Sequence, residues 1–335
     1  GLKSTMVIGP NDVTKKRYDI LIVDEAHRLK KRKNITNYAS FDKTNKSFGL
    51  DNNGTEMDWI MKSSKNQILF YDENQSIRPS DLNAEKFRNL YATHYNLISQ
   101  QRIEAGEEYI NFIDDLFDIQ DVSKYKFPEY DLQIYDDISK MVSDTKQKND
   151  ELQLCRVVAG YAWEWKSKTN PNIHDIEIDG LKLKWNSTNQ DWVNSKNSIN
   201  EVGCIHTVQG YDLNYVGVII GPELSYDKEN KKLLINAKNY KDSNGWRGIT
   251  DSNELERYII NIYKTLLTRG IKGTYIYIVD ENLREYFKEK LGQKIISNLS
   301  VKEEKILSPY AEEMIGVPLV GSAPCGLPLM HEDNI

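Results

Sequence analysis

The stretch YDILIVDEAHRLKKRKN, Tyr18 to Asn34, decides how the rest of the chain is read. Four aliphatic residues, Ile20 to Val23, run without a polar interruption and stop abruptly at Asp24 and Glu25. A short run that is apolar on both faces predicts a strand of a parallel sheet covered on both sides. Two carboxylates at the end of such a strand suit phosphoryl transfer: one orients magnesium, the other positions or deprotonates the attacking water. That chemistry also requires a glycine-rich loop whose backbone amides cradle phosphate, and only seventeen residues precede Tyr18.

Four further runs have the same character: QILFYD (Gln67–Asp72), CRVVAGY (Cys155–Tyr161), YVGVIIG (Tyr215–Gly221) and TYIYIVD (Thr274–Asp280). Helical spacing lies between them. In TDSNELERYIINIYKTLLTRG, Asp251 and Glu254 have the spacing of a capping box, and Leu255, Ile259, Ile262 and Leu266 recur at helical spacing. Gly270 stands where a C-terminal cap belongs. Strands alternating with helices predict an α/β fold with parallel sheets. Gly106 to Asn149 is acidic, aromatic and mostly helical in period, and opens a second α/β unit. Ser187–Ser198 and Tyr226–Gly248, rich in Asn, Lys, Asp and Ser, are expected to be surface loops or hairpins inserted into it. A charged segment after Tyr286 predicts a terminal helix and then a linker.

Composition sets outer bounds. A chain of 335 residues with 39% hydrophobic and 28% charged residues has the balance of a folded protein large enough for two cores. A net charge of −6 gives no overall basic footprint for nucleic acid, although a single groove can still be basic. Cys155, Cys204 and Cys325, odd in number and widely spaced, argue against a disulfide framework or a zinc site. No apolar run reaches the ~20 residues a membrane helix needs. The expected location is therefore cytoplasmic, with no membrane partner.

The second run leads into YDENQSIRP, with Asp72 at the strand's end and Gln75 three residues beyond. Ligands of open α/β sheets bind at the carboxyl edge, so two strands deliver polar groups to one place. Gln75 reads either as a turn residue before Pro79 or as a group that senses a γ-phosphate. Trp163 and Trp165 in YAWEWKSK alternate with strand periodicity, so one ring faces the core and the other a groove; tryptophan in such a place either packs or stacks nucleic-acid bases. The basic run Lys30–Lys33 is either a solvated face or a phosphate contact.

LIVDEAHRL and FYDENQSIRP resemble motifs II and III of superfamily I helicases. More closely, they resemble a bacterial family of helicase-like P-loop ATPases related to the Schlafen group. LISQQRIEAGEEYINFIDDLF is similar to its motif IV, GCIHTVQGYDLNYVGVIIG to its motif V and YKTLLTRGIKGTYIYIVDENLREYF to its motif VI. CRVVAGYAWEWKSK resembles the first strand of its second RecA-like domain. The matches run in the family's order from Tyr18 to about Tyr286.

The resemblance implies two RecA-like parallel-sheet lobes: residues 1–100, incomplete, with motifs II and III, and residues 101–290, with motifs IV to VI. Residues 291–335 then form a linker and tail. It implies ATP and magnesium as cofactors and single-stranded DNA or RNA as partner. Asp24 would hold magnesium and Glu25 would activate water. Gln75, Arg102 and Arg269 would sense and stabilise the γ-phosphate, while Asp72, Gln209 and Gly210 line the nucleotide. Thr207 would contact a nucleic-acid phosphate. His206 is assigned a structural or coupling role, and His27 a hydrogen bond across the cleft to Gln75.

No G-x-x-x-x-G-K-[ST] occurs in the sequence; GPNDVTKK from Gly9 lacks the second glycine and the Lys-Ser/Thr pair. The resemblance places the phosphate loop before STMVIGPNDV, so an N-terminal P-loop segment is expected to be missing and the chain alone to hydrolyse ATP weakly or not at all. The tail GVPLVGSAPCGLPLMHEDNI, Gly316 to Ile335, resembles the opening of LexA/UmuD-like self-cleaving peptidases, with Cys325–Gly326 at the scissile position and the peptidase domain itself further on. A plain apolar tail is the alternative. Two other functions stay open: a non-catalytic helicase-like module that binds nucleic acid or a protein, and a metal nuclease using Asp24, Glu25 and Asp72. The nuclease is disfavoured because an E-x-K-type acid–lysine pairing is absent near them.

Overall fold

The computed structural model describes residues 6–97 and 102–292. They form an α/β protein with two parallel sheets, one of two strands and one of five, and two small antiparallel hairpins.

The first sheet pairs β1 (Tyr18–Val23) with β2 (Ser64–Leu69), Val23 lying opposite Leu69. Between them run α1 (Tyr38–Ser47) and α2 (Glu56–Ser63), and α3 (Ala84–Arg88) follows. Helix α2 starts where Thr55 accepts from the Asp58 amide while Asp58 accepts from the Thr55 amide, a reciprocal capping box. It thereby presents Met57, Trp59 and Ile60 to a core completed by Phe41, Leu82 and Phe87. Trp59 is fully enclosed, its indole donating to Asn45 Oδ1 at 2.6 Å and its ring centroid 4.5 Å from that of Phe41.

That core covers one face of the sheet only. Leu21, Val23 and Leu69 pack on it, whereas Ile20, Ile22, Ile68 and Phe70 on the other face are 47% to 66% exposed. The expectation of burial on both sides is corrected for this sheet. Its helices among the described residues all pack on the same side.

The second sheet meets that expectation. Helix α4 (Gly106–Phe117) leads to β3 (Asp131–Tyr135), α5 (Ile138–Leu152) and β4 (Cys155–Ala159). A hairpin of β5 (Ile176–Ile178) and β6 (Leu181–Leu183) precedes β7 (Val202–Cys204), α6 (Ile205–Val208) and β8 (Leu213–Ile220). A second hairpin, β9 (Leu224–Asp227) with β10 (Lys232–Ile235), is followed by α7 (Ser243–Trp246), α8 (Ser252–Leu267), β11 (Gly270–Ile278) and α9 (Glu281–Leu291). The sheet order is β3-β11-β8-β4-β7, all parallel. Its central strands alternate between two cores: Val158, Val216, Val218 and Ile276 face one, Val157, Tyr215, Ile219 and Tyr275 the other.

Three local readings change. Asp131–Tyr135, inside the segment read as mostly helical, is an edge strand, and Val202–Cys204 forms the opposite edge. Asp251 caps α8 by accepting from the Asn253 amide at 2.9 Å, while Glu254 accepts from the Tyr258 hydroxyl instead. Gly270 opens β11 rather than capping α8; a Cβ there would lie 2.2 Å from the Gly273 carbonyl at a shift in strand register. No helix among the described residues is long and apolar enough to cross a membrane. The tail, with Cys325 and Gly326, lies outside the described residues.

One packing detail couples the two sheets. Ile77, in the loop after β2, is 3% exposed and belongs to the core of the five-stranded sheet.

Candidate functional site

Strand β1 ends at Val23 and the chain turns at once. Asp24 accepts from the Glu25 amide at 3.0 Å, and Glu25 adopts left-handed angles, φ 52° and ψ 43°. A non-glycine residue there costs on the order of 1–2 kcal/mol, and such strain collects where a side chain must be aimed. Phe70 N donates to Val23 O at 2.9 Å and Ala26 N to Phe70 O at 2.7 Å, tying the end of β2 to this turn. Asp72 therefore arrives at the same edge. It accepts from Asn74 N at 3.0 Å and from Gln75 Nε2 at 2.8 Å.

Glu25 faces His27, whose Nε2 lies 2.9 Å from Glu25 Oε2. Burial pushes the Glu25 carboxyl up, but the His27 contact and the charges of Arg269 and Arg28 outweigh it and hold the group below its ordinary value. It is a carboxylate at neutral pH, able to accept a hydrogen bond from water. The sequence-based contact between His27 and Gln75 is replaced by another across the same cleft: His27 Nε2 lies 3.5 Å from Gln209 Nε2. Gln209 is longer-reaching from its side of the cleft, and it also donates to the Gln75 carbonyl at 3.1 Å.

Arg269, placed by the end of α8, is 2% exposed and reaches in three directions. Its Nε donates to Thr265 O at 3.1 Å, NH1 to Tyr211 O at 3.4 Å and NH2 to Gln75 Oε1 at 3.1 Å. Burial, then the charge of Arg102, pushes it down to about 10, so it stays a cation at neutral pH. Arg102 Nε lies 2.7 Å from Asp212 Oδ1. A cleft lined by Asp72, Gln75, Arg102, Lys264 and Arg269 opens here. Lys264 and Asp212 escaped the sequence reading. Lys264 lies five residues before Arg269 on the face of α8 that carries Thr265 and Thr268, and that periodicity was its one signal.

The lining combines three cations and a glutamine with the carboxylates of Asp72 and Asp114; Lys264 lies 2.8 Å from Asp114 and Arg102 2.7 Å from Asp212, so a terminal phosphate would meet Arg269 and Gln75 first and compete for the other two cations. Asp24 is exposed and makes no ion pair among the described residues, which suits a magnesium ion held by one or two carboxylates, waters and phosphate oxygens. No group of three or more His, Cys, Asp or Glu that would cage an ion alone occurs among the described residues. The sequence supplies no glycine-rich loop for the inner phosphates.

The remaining candidates fall elsewhere. Gly210 has φ +89°, which favours glycine. Thr207 is 2% exposed, its hydroxyl donating to Cys204 O at 2.8 Å with Asn186 Oδ1 at 3.2 Å as the alternative acceptor. Trp163 and Trp165 follow the end of β4 rather than alternating along it. Both are partly buried, their ring centroids 6.3 and 6.2 Å from Trp185. In the basic run, Arg32 forks onto Asp42 at 2.6 and 2.9 Å, and Lys33 lies 3.9 Å from Glu254.

Behind the carboxyl edge of the five-stranded sheet sits Glu223, 1% exposed, accepting from the Tyr263 hydroxyl. Burial pushes its carboxyl from 4.5 up to about 7. Between those values the unfolded chain ionises and the folded one does not, so stability falls as pH rises from about 4.5 to about 7 and levels off above that. Glu223→Gln should therefore stabilise the protein at pH 8, by roughly 3 kcal/mol at most, raising its unfolding midpoint, and leave it nearly unchanged at pH 4.5. Equal shifts in thermal melts at both pH values would contradict this.

Strand-end carboxylates on one parallel sheet, met across a cleft by a buried arginine and a glutamine from another, define a helicase-like α/β protein. Residues 2–280 match the model for the Schlafen group 3 DNA/RNA helicase domain, and the chain belongs to that family. It is 28% identical over 303 residues to an uncharacterized protein of Saccharomyces cerevisiae, covering 80% of this chain and 64% of the yeast protein. The chain thus spans a little under two thirds of that relative.

Proposed function

We propose that the cleft is the γ-phosphate side of a nucleic-acid-dependent ATPase, in which two RecA-like lobes close on ATP and magnesium. The supporting observation is the convergence at one cleft of Glu25, paired with His27 at 2.9 Å, and Gln75, whose side chain accepts from Arg269 at 3.1 Å and whose carbonyl accepts from Gln209 at 3.1 Å. Magnesium-bound ATP supplies the phosphoryl group when present. Asp24 offers the metal one carboxylate. Glu25, ionised and aimed by its strained backbone, accepts a hydrogen bond from the attacking water and directs its lone pair. Gln75 and Arg269 hold one another in the position where charge develops on the γ-oxygens, and Arg102 and Lys264 add positive potential at the cleft mouth. Single-stranded DNA or RNA is the proposed partner, with the partly buried Trp163 and Trp165 as the rings on which bases would stack. The second reading, a non-catalytic module, is favoured by one fact: the sequence carries no phosphate loop.

The discriminating measurement compares ATP turnover of this chain with that of a version extended upstream through a glycine-rich phosphate loop, with and without single-stranded nucleic acid. The extended protein should show stimulated turnover and this chain almost none. Equal turnover by both, or none by either, would refute the proposal.

A further inference from the structure

The second lobe grips the chain segment Gln75–Arg78 at several points. Gln209 holds the Gln75 carbonyl at 3.1 Å, Asn261 Nδ2 donates to the Ser76 carbonyl at 3.0 Å, and Ile77 fills the second lobe's core. At Arg78 the grip becomes ionic. Asp242 Oδ2 accepts from Arg78 Nε at 3.2 Å and Arg78 NH2 at 3.0 Å, and His206 Nε2 lies 2.7 Å from the same oxygen and 2.6 Å from Arg78 NH2. The first lobe holds the same segment from behind: buried Asp81 accepts from the Ile77 and Arg78 amides at 3.0 and 2.9 Å.

We propose that Arg78, Asp242 and His206 form an interlobe brace that positions Gln75 against Arg269, making Arg78 and Asp242 positioning residues for the site. The identity of what is positioned rests on the ATPase reading above; the brace itself rests on geometry. Only Ser76 and Ile77 separate Gln75 from Arg78, so the Gln75 end cannot move freely while the brace holds. Asp242 comes from the polar insertion after β8, which makes that insertion a working part of the cleft. Its side chain is 8% exposed and that of Arg78 30%, so the pair is largely withdrawn from water. Burial opposes the Asp242 charge, yet the His206 hydrogen bond and the Arg78 charge outweigh it and hold the carboxyl well below its usual range. Burial and the Arg78 charge likewise push His206 down to about 4, so a neutral imidazole faces Arg78, Asp242 and Tyr161 at neutral pH. Removing either charge leaves the other uncompensated, and the loop carrying Gln75 loses its anchor.

Two readouts test the brace. In an ATP-hydrolysing extended version, Arg78→Ala and Asp242→Asn should each lower kcat about 10²-fold, the effect of a misplaced catalytic group, with little change in KM. The double variant should be no worse than either single, and Arg78→Lys should recover part of the loss. In this chain, spin labels at the exposed positions of Lys43 and Lys196, with Cys325 replaced by Ser and buried Cys155 and Cys204 retained, should give one narrow interlobe distance that broadens in both variants. Circular dichroism matching the unmodified chain confirms folding. Distances that stay narrow, or losses that add in the double variant, would overturn the brace. Failure of every extended version to turn over ATP would sink the ATPase reading while the label distances still decide the brace.

Discussion

Arg269→Lys should lower nucleic-acid-stimulated ATP turnover of a version carrying a phosphate loop by about 10³-fold, the lower range for arginine fingers. The substitution keeps the charge, so the loss isolates geometry. The guanidinium divides its donors among Thr265 O, Tyr211 O and Gln75 Oε1. An ammonium is a point with three rotating donors and cannot hold that fork. Lysine is also easier to neutralise: burial, which already brings Arg269 down to about 10, would act on a group with a lower starting value. Gln75 Oε1 then loses its donor, and the side chain is held only by its own donation to Asp72 at 2.8 Å. The effect should fall on kcat, with KM for ATP changing severalfold at most. A loss below tenfold in steady-state assays would remove Arg269 from the chemistry.

Trp59→Ala should destabilise the first lobe by roughly 3–5 kcal/mol, the usual cost of truncating a buried aromatic residue to alanine. Trp59 is 0% exposed and is the largest side chain of the smaller core. Its loss also leaves Asn45 Oδ1, buried on α1, without the indole donor 2.6 Å away. Because only one face of the two-stranded sheet is covered among the described residues, no second described core shares the load. The expected melt has two transitions, the earlier one carrying the first lobe. A single transition shifted by less than two degrees would contradict this.

The parts legible in the sequence share a physical property. Strands β4, β8 and β11 are covered on both faces, so apolar residues fill most of their positions and stand out as runs. Edge strands β3 and β7 lack that signature: Asp131 and Gln133 alternate with apolar residues in one, and the other is three residues long. Strands β1 and β2 show the opposite error. Their runs are as apolar as any, yet Ile20, Ile22, Ile68 and Phe70 remain in contact with solvent among the described residues.

The site divides in the same way. Asp24, Glu25, Asp72 and Gln75 were legible because strand ends fix where they fall, and topology alone brings them to one edge. Arg78 and Asp242 were not: 164 residues separate them, and Asp242 sits in a polar stretch whose composition resembles that of a solvated loop. Trp163 and Trp165 misled because two-residue spacing persists beyond the strand that would have given it meaning. The surroundings of Thr207 were not legible either: its hydroxyl lies against Cys204 O and Asn186 Oδ1, the latter 21 positions away in sequence.

Ile77 has a consequence for how such a protein can be taken apart. A fragment beginning at Arg102 would carry the five-stranded sheet with an empty apolar socket, and its complement would display that isoleucine to water. Neither piece is a self-sufficient unit of inheritance. A recombination event that grafted either half onto a new neighbour would have to transfer Gln75 to Asp81 along with the larger half, or recreate the socket's plug from the new partner.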